Sequence, residues 1–218
     1  MKIDLDAVEE TAKLLYIRAL KVLPDDIKEG FQRLDAAETD ATGQSILATM
    51  IQNITVAEDT DNLLCQDTGI PIYNITIGRG VEVDGIDLKT AIRKGCTRAT
   101  QEYPLRSSVV HPVTRENEHT SCGRRVPVIN VDFSEAEEEL VIEMIPKGSG
   151  SENGSFLKMC IPADGVAGIK TFVIDKVLEA GGKVCPPTIV GVGVGGTADL
   201  CAKMAKIAAT RRLGSVCD

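Results

Sequence analysis

The chain has 218 residues, 43% of them apolar, enough for one large domain or two small ones around a buried core. Trp is absent and aromatic residues make up only 3%, so that core has to be aliphatic. A formal net charge of −8 and a pI near 4.9 argue against a nucleic-acid surface, and any anion the protein binds needs cations placed locally.

Helical spacing dominates the first 59 residues. Leu5, Val8, Ala12, Leu15, Ala19 and Val22 mark one helix, and Pro24 suits the start of a second that carries Ile27, Phe31 and Leu34. A third is predicted over Gln44 to Val56, giving an antiparallel-looking set. Ile70 to Ile77 is a short β-rich run, and Asp87 to Glu102 returns to helix. Residues 103 to 124 have no apolar period and form a long loop, the kind of connection that usually carries function or is disordered. Val126 to Phe133 and Glu139 to Ile145 alternate across an acidic turn and read as a β-hairpin. A Gly-Ser loop, Lys147 to Gly154, leads to a helix from about Ser155, and a further helix, Val166 to Ala180, stops at Gly181-Gly182. Cys185 to Val194 reads as a strand and Gly196 to Leu213 as a helix. The expected fold class is α+β: an N-terminal helical set followed by a mixed sheet with flanking helices, in a single domain spanning 1–218.

No apolar run reaches the ~18 residues of a membrane span, and the N-terminus MKIDLDAVEE is acidic where a signal peptide is basic and then apolar. A cytoplasmic protein with no membrane partner is expected. Seven scattered cysteines (65, 96, 122, 160, 185, 201 and 217) do not suit a secreted disulfide framework, and thiolate chemistry is expected of a few of them.

Two of these thiols stand out. In Leu63-Leu64-Cys65-Gln66-Asp67-Thr68-Gly69 an apolar run ends at a polar turn, putting a thiol beside a carboxamide and a carboxylate. Cys185 precedes Pro186-Pro187, whose fixed φ would hold a ligand in place. Together they read as two arms of a metal or cluster site, although a core Cys before a capped turn is an even alternative for Cys65. The glycines at 191, 193 and 196 nearly spell a dinucleotide fingerprint, but Arg211 and Arg212 stand where its acidic residue belongs, and tight helix packing explains the same glycines. Pro146-Lys147-Gly148-Ser149-Gly150-Ser151-Glu152-Asn153 is either an anion cradle of backbone N–H groups with Lys147 or a plain turn with a helix cap. Arg106, Arg115, Arg124 and Arg125 of the long loop could reach the same anion, whereas His111 and His119 alone leave little for a zinc site or a Ser-His-Asp triad.

CQDTG, KGSGSEN and CPP followed by VGVGVGGT, in that order, resemble the α subunit of two-subunit class I fumarate hydratases and L-tartrate dehydratases over residues 5 to 213. The resemblance implies an iron–sulfur hydro-lyase, with a [4Fe-4S] cluster held by three cysteines, that removes water reversibly from a 2-hydroxy dicarboxylate. Malate to fumarate is the leading reading and tartrate its nearest rival; a dinucleotide-binding module is the reading from another class. Carried onto this sequence, Cys65 and Cys185 are two cluster ligands, Gln66 and Asp67 touch substrate with Asp67 near the departing hydroxyl, Arg106 binds a carboxylate, and Gly150 offers its amide. The resemblance also implies a β subunit with further substrate contacts and the catalytic base, and self-association of the α subunit. In the family the α subunit continues past the equivalent of Leu213 into a stretch with the third cysteine and a substrate histidine. This sequence stops at Asp218, before that stretch, and Cys217 is not assigned as the third ligand. An isolated chain is therefore expected to be inactive, with its site residues loosely ordered.

Overall fold

Three helices begin where an aspartate accepts hydrogen bonds from otherwise unpaired first-turn amides: α1 (Leu5–Lys21) at Asp4, α3 (Ala41–Asp59) at Asp40 and α4 (Gly85–Glu102) at Asp84. α2 (Asp25–Ala37) follows Pro24 and carries Asp25 and Asp26 in its first turn. These predicted helices all form in the computed structural model, which describes residues 1–215 and divides into two units, Met1–Gly148 and Ser149–Asp218. Cys217 lies outside the described residues.

The core of the first unit lies between α1, α4 and a three-stranded sheet. Val8, Ala12, Tyr16 and Leu20 line one face of α1, and Leu88, Ala91, Ile92, Cys96 and Ala99 the facing stripe of α4. The two helices approach so closely that a Cβ on Gly95 would run into the Glu9 carbonyl and the Ala12 methyl. At the rim, Lys13 and Arg98 pair with Glu9, Glu10 and Glu102; these exposed ion pairs add little beside the apolar contact. The predicted three-helix set thus divides: α2 packs on α3, whereas α1 belongs to the sheet and α4.

The sheet order is β2-β1-β3, from β1 (Ile70–Gly78), β2 (Val128–Ser134) and β3 (Leu140–Lys147). β1 runs parallel to β2 and antiparallel to β3, so the expected hairpin of the last two strands does not exist. The most buried strand takes the centre: Tyr73 and Ile75 are enclosed, and the Tyr73 hydroxyl donates to the Ala12 carbonyl at 3.0 Å. The acidic turn after β2 crosses the end of β1, where Gly78, Arg79 and Gly80 N–H groups donate to carbonyls of Glu139, Ala136 and Glu137. Joining two parallel strands requires a long crossover, and α4 with the irregular segment 103–127 supplies it.

In the second unit, α5 (Ser149–Glu152) is a single turn, α6 (Gly165–Ala180) stops at Gly181 with φ 48°, and α7 (Ala198–Ala209) closes the described chain. The helix expected from about Ser155 is absent; residues 155–161 are irregular up to a 3-10 turn at Pro162–Asp164. The strand expected over Cys185 to Val194 is absent too, because Pro186 and Pro187 carry no N–H and no strand lies beside it among the described residues of this unit. That segment packs on α7 instead: a Cβ on Gly191 or Gly193 would collide with the Ala205 or Cys201 carbonyl, and the Cys201 thiol donates to the Gly193 carbonyl at 3.1 Å. The glycines that hinted at a dinucleotide turn are spent on the flank of a helix.

Candidate functional site

Cys65, Gln66 and Asp67 occupy the connection between α3 and β1, and the residues on either side of them are tied to rigid elements. Leu64 N–H donates to the Leu20 carbonyl at 3.0 Å and Asn53 Nδ2 to the Leu64 carbonyl at 3.2 Å, so the chain enters the turn anchored to α1 and α3. Asp61 pairs with Lys21, and its carbonyl accepts from the Tyr103 hydroxyl at 2.6 Å. The Thr68 N–H donates back to the Gln66 carbonyl at 3.1 Å, folding the chain sharply at Asp67. The Asp67 N–H points at the Cys65 sulfur, 3.4 Å away. Cys65 and Gln66 are exposed and Asp67 is half-buried.

The turn meets the end of β3 through two glycines. Gly69 sits at φ 71°, and a Cβ there would lie 2.5 Å from the Lys147 carbonyl carbon. A Cβ on Gly148 would lie 2.7 Å from Asp67 Oδ2, so the missing side chain leaves the space in which the carboxylate rests. Since Ile70 pairs with Lys147 in the ladder, both glycines fall at the same end of the sheet. CQDTG and the start of KGSGSEN, motifs far apart in sequence, are brought together there.

Arg106 arrives from the crossover. Its backbone carbonyl accepts from the buried Thr68 hydroxyl, while its guanidinium is exposed. The segment around it has no regular structure, yet it is anchored: Leu105 and Ser107 are buried, Asn117 Nδ2 donates to the Ser107 carbonyl at 3.0 Å, and Ser121 N–H to the Ser107 hydroxyl at 3.2 Å. Arg93 of α4 holds the far end through the carbonyls of Gly123 and Val126. His111 is used locally, its Nδ1 accepting from the Thr114 N–H at 3.0 Å, and His119, Arg115, Arg124 and Arg125 are exposed.

Gly150 and Cys185 belong to the second unit. Gly150 lies within α5 with open space where a side chain would stand, and Cys185 is exposed just before Pro186. Of the remaining described cysteines, Cys96 and Cys122 are core residues; their mutual hydrogen bond and burial push the Cys96 thiol far up, so it stays protonated. Among the described residues no group of three His, Cys, Asp or Glu side chains forms a metal site. Cys65 nevertheless suits a thiolate ligand: it is accessible, free of any disulfide, and has an amide aimed at its sulfur. Residues that reading the sequence did not single out are Thr68, Tyr16 and Gly148. The signal for Thr68 and Gly148 was their place inside the two motifs; for Tyr16 it was a phenol on an otherwise aliphatic stripe.

Comparison with known proteins points to one family. The family described as fumarate hydratase (Fumerase) matches residues 9–218. The chain is 44% identical over 202 residues to a putative L(+)-tartrate dehydratase subunit alpha of Methanocaldococcus jannaschii, covering 92% of this chain and 71% of that protein. It is 28% identical over 193 residues to the L(+)-tartrate dehydratase subunit alpha of Escherichia coli K12, covering 88% of this chain and 63% of that one.

Proposed function

The chain belongs to the fumarate hydratase family, in the group of class I hydratase and tartrate dehydratase α subunits, and on that premise we propose that it forms part of a hydro-lyase acting on a 2-hydroxy dicarboxylate. The observation that carries the reading is the meeting of Asp67, Gly148 and the Arg106 backbone at one end of the sheet. That arrangement sets a carboxylate beside a rigid turn and a guanidinium on an adjacent anchored segment. A substrate bearing two negative charges cannot enter a protein of net charge −8 without such local cations and amide donors.

Each residue has a distinct task in this reading. Arg106 meets a substrate carboxylate with a planar pair of donors, which Lys cannot reproduce. Gln66 donates or accepts at the polar part of the substrate, and the Gly150 N–H supports a carboxylate. Asp67 stands near the hydroxyl that leaves and exchanges a proton with it. Cys65 and Cys185 would be two of the three thiolates that hold a [4Fe-4S] cluster, which supplies a Lewis acid to that hydroxyl when bound. A partner subunit would contribute the base that removes the proton next to the carboxylate. For the substrate, the family description favours malate and fumarate, whereas the names of both relatives favour L(+)-tartrate.

Anaerobic reconstitution with iron and sulfide, followed by co-expression with a β subunit and assay on malate, fumarate and tartrate, tests the proposal. Arg106→Lys is expected to raise KM markedly, and Arg106→Ala to lose roughly 2 to 5 kcal/mol of transition-state binding. Asp67→Asn is expected to lower kcat more than it changes KM, because the amide keeps the shape but cannot exchange a proton. Wild-type kcat/KM in Arg106→Ala, or wild-type kcat in Asp67→Asn, removes the corresponding role.

A further inference from the structure

We propose that Thr68 is the positioning residue that sets Arg106 relative to Asp67, with the Tyr16 phenol bracing it from α1; this rests on the substrate reading given above. Thr68 is fully buried and uses all three of its polar groups on three different segments. Its N–H closes the turn over Asp67 onto Gln66 at 3.1 Å. Its carbonyl accepts from the buried Tyr16 hydroxyl at 3.2 Å, and its own hydroxyl donates to the Arg106 carbonyl while lying 3.5 Å from the Ser108 hydroxyl.

The reason one hydroxyl matters so much is the nature of the segment it holds. Arg106 sits on neither helix nor strand, so no ladder of backbone bonds fixes where its side chain starts. Leu105 and Ser107 anchor the residues on either side, but the Arg106 carbonyl itself is held by Thr68. Asp67 is the next residue along the same turn. The separation between a carboxylate that handles a proton and a guanidinium that handles a carboxylate is therefore set through one side chain. Placement errors near 1 Å can cost as much as about a hundredfold in rate. Tyr16 adds stiffness: its phenol is enclosed in the core that α1 shares with the sheet and donates to the Thr68 carbonyl.

The test uses the assembled enzyme with its β subunit and five variants. Thr68→Val keeps the shape and removes the hydroxyl; it is expected to raise KM for the dicarboxylate by about tenfold or more. Thr68→Ser restores the donor and should return KM to within a few-fold of wild type. Tyr16→Phe should move KM the same way by a smaller factor. In an Arg106→Ala background, Thr68→Val should add little, since the group it positions is gone. A purely structural threonine would instead multiply its effect unchanged in that background, and that result overturns the proposal. Hydrogen exchange at residues 105–108 of the isolated chain supplies a readout that needs no activity. Faster exchange in Thr68→Val than in Thr68→Ser supports the linkage, and equal exchange in the two overturns it. Wild-type kcat/KM in Arg106→Ala would instead overturn the substrate reading of Arg106, so the two failures are distinguishable.

Discussion

Two glycines at one end of the sheet do opposite jobs, and substitution separates them. Gly69 needs its positive φ and presses on the Lys147 backbone, which cannot yield like a flexible side chain. Gly69→Ala is therefore expected to cost at least about 2 kcal/mol of stability, from the left-handed backbone and the clash together. Gly148 is not held at positive φ; what it supplies is room for Asp67. Gly148→Ala should leave thermal stability within a degree or two while pushing the carboxylate aside and lowering kcat several-fold in the assembled enzyme. Thermal melts and kinetics on the two variants check this, and a Gly148→Ala protein of unchanged kcat would show that Asp67 tolerates displacement. Both glycines stand inside motifs visible in the sequence. Why each must be glycine was not visible, because the atoms they would strike lie some 80 residues away along the chain.

At the level of elements, α1 is held to β1 and to the turn before it by two phenols as well as by its apolar stripe. Tyr16 donates to the Thr68 carbonyl and Tyr73 to the Ala12 carbonyl, and both rings are fully enclosed. Burial pushes the Tyr16 phenol up to about 12 and raises Tyr73 as well. A native phenol that keeps its proton longer than the unfolded one contributes stability in full below about pH 10, the unfolded value, and loses it as pH rises through the native value. For Tyr16 the window is pH 10 to about 12, with about 2 to 3 kcal/mol at stake. Tyr16→Phe should lower stability near neutrality by about 1 kcal/mol through the lost hydrogen bond, and should also shallow the alkaline decline. Urea unfolding at several pH values tests this; parallel curves for wild type and variant would show that this phenol carries none of the alkaline loss. The helices themselves were legible, since their periodic stripes and aspartate caps are local. The sheet order was not. β2 and β3 look like a hairpin because they are consecutive and alternate, and only the more enclosed β1 residues, Tyr73 and Ile75, decide that β1 lies between them. Likewise the fixed dihedrals of Pro186 and Pro187 were legible, but whether a neighbouring strand exists for that segment was not.

Over the whole molecule, the described residues divide unevenly in how much apolar surface each unit encloses. Every buried core residue lies in Met1–Gly148, whereas none of residues 149–215 is buried. The second unit exposes Val166, Ile174, Leu178 and Leu200 along its helices, and Met159 and Ile161 in the irregular stretch before them. A stretch of that size without an enclosed interior cannot offset the conformational entropy of ordering its backbone, about 1 to 2 kcal/mol per residue, at the usual 25 cal/mol per Å² of buried apolar surface. The first unit has what an autonomous domain needs: an aliphatic core, a three-stranded sheet covered by two helices, and capped helix ends. A fragment of residues 1–148 is thus expected to fold alone, with a cooperative thermal transition and protected amides in α1, α4 and β1. A fragment of residues 149–218 should show little cooperative melting and should bind a dye that reports exposed apolar surface. Circular dichroism, calorimetry and hydrogen exchange on the two fragments decide the matter. A sharp transition in the 149–218 fragment would mean that α6 and α7 stabilise each other without an enclosed core, and a featureless melt of the 1–148 fragment would mean that its core depends on the residues that follow it.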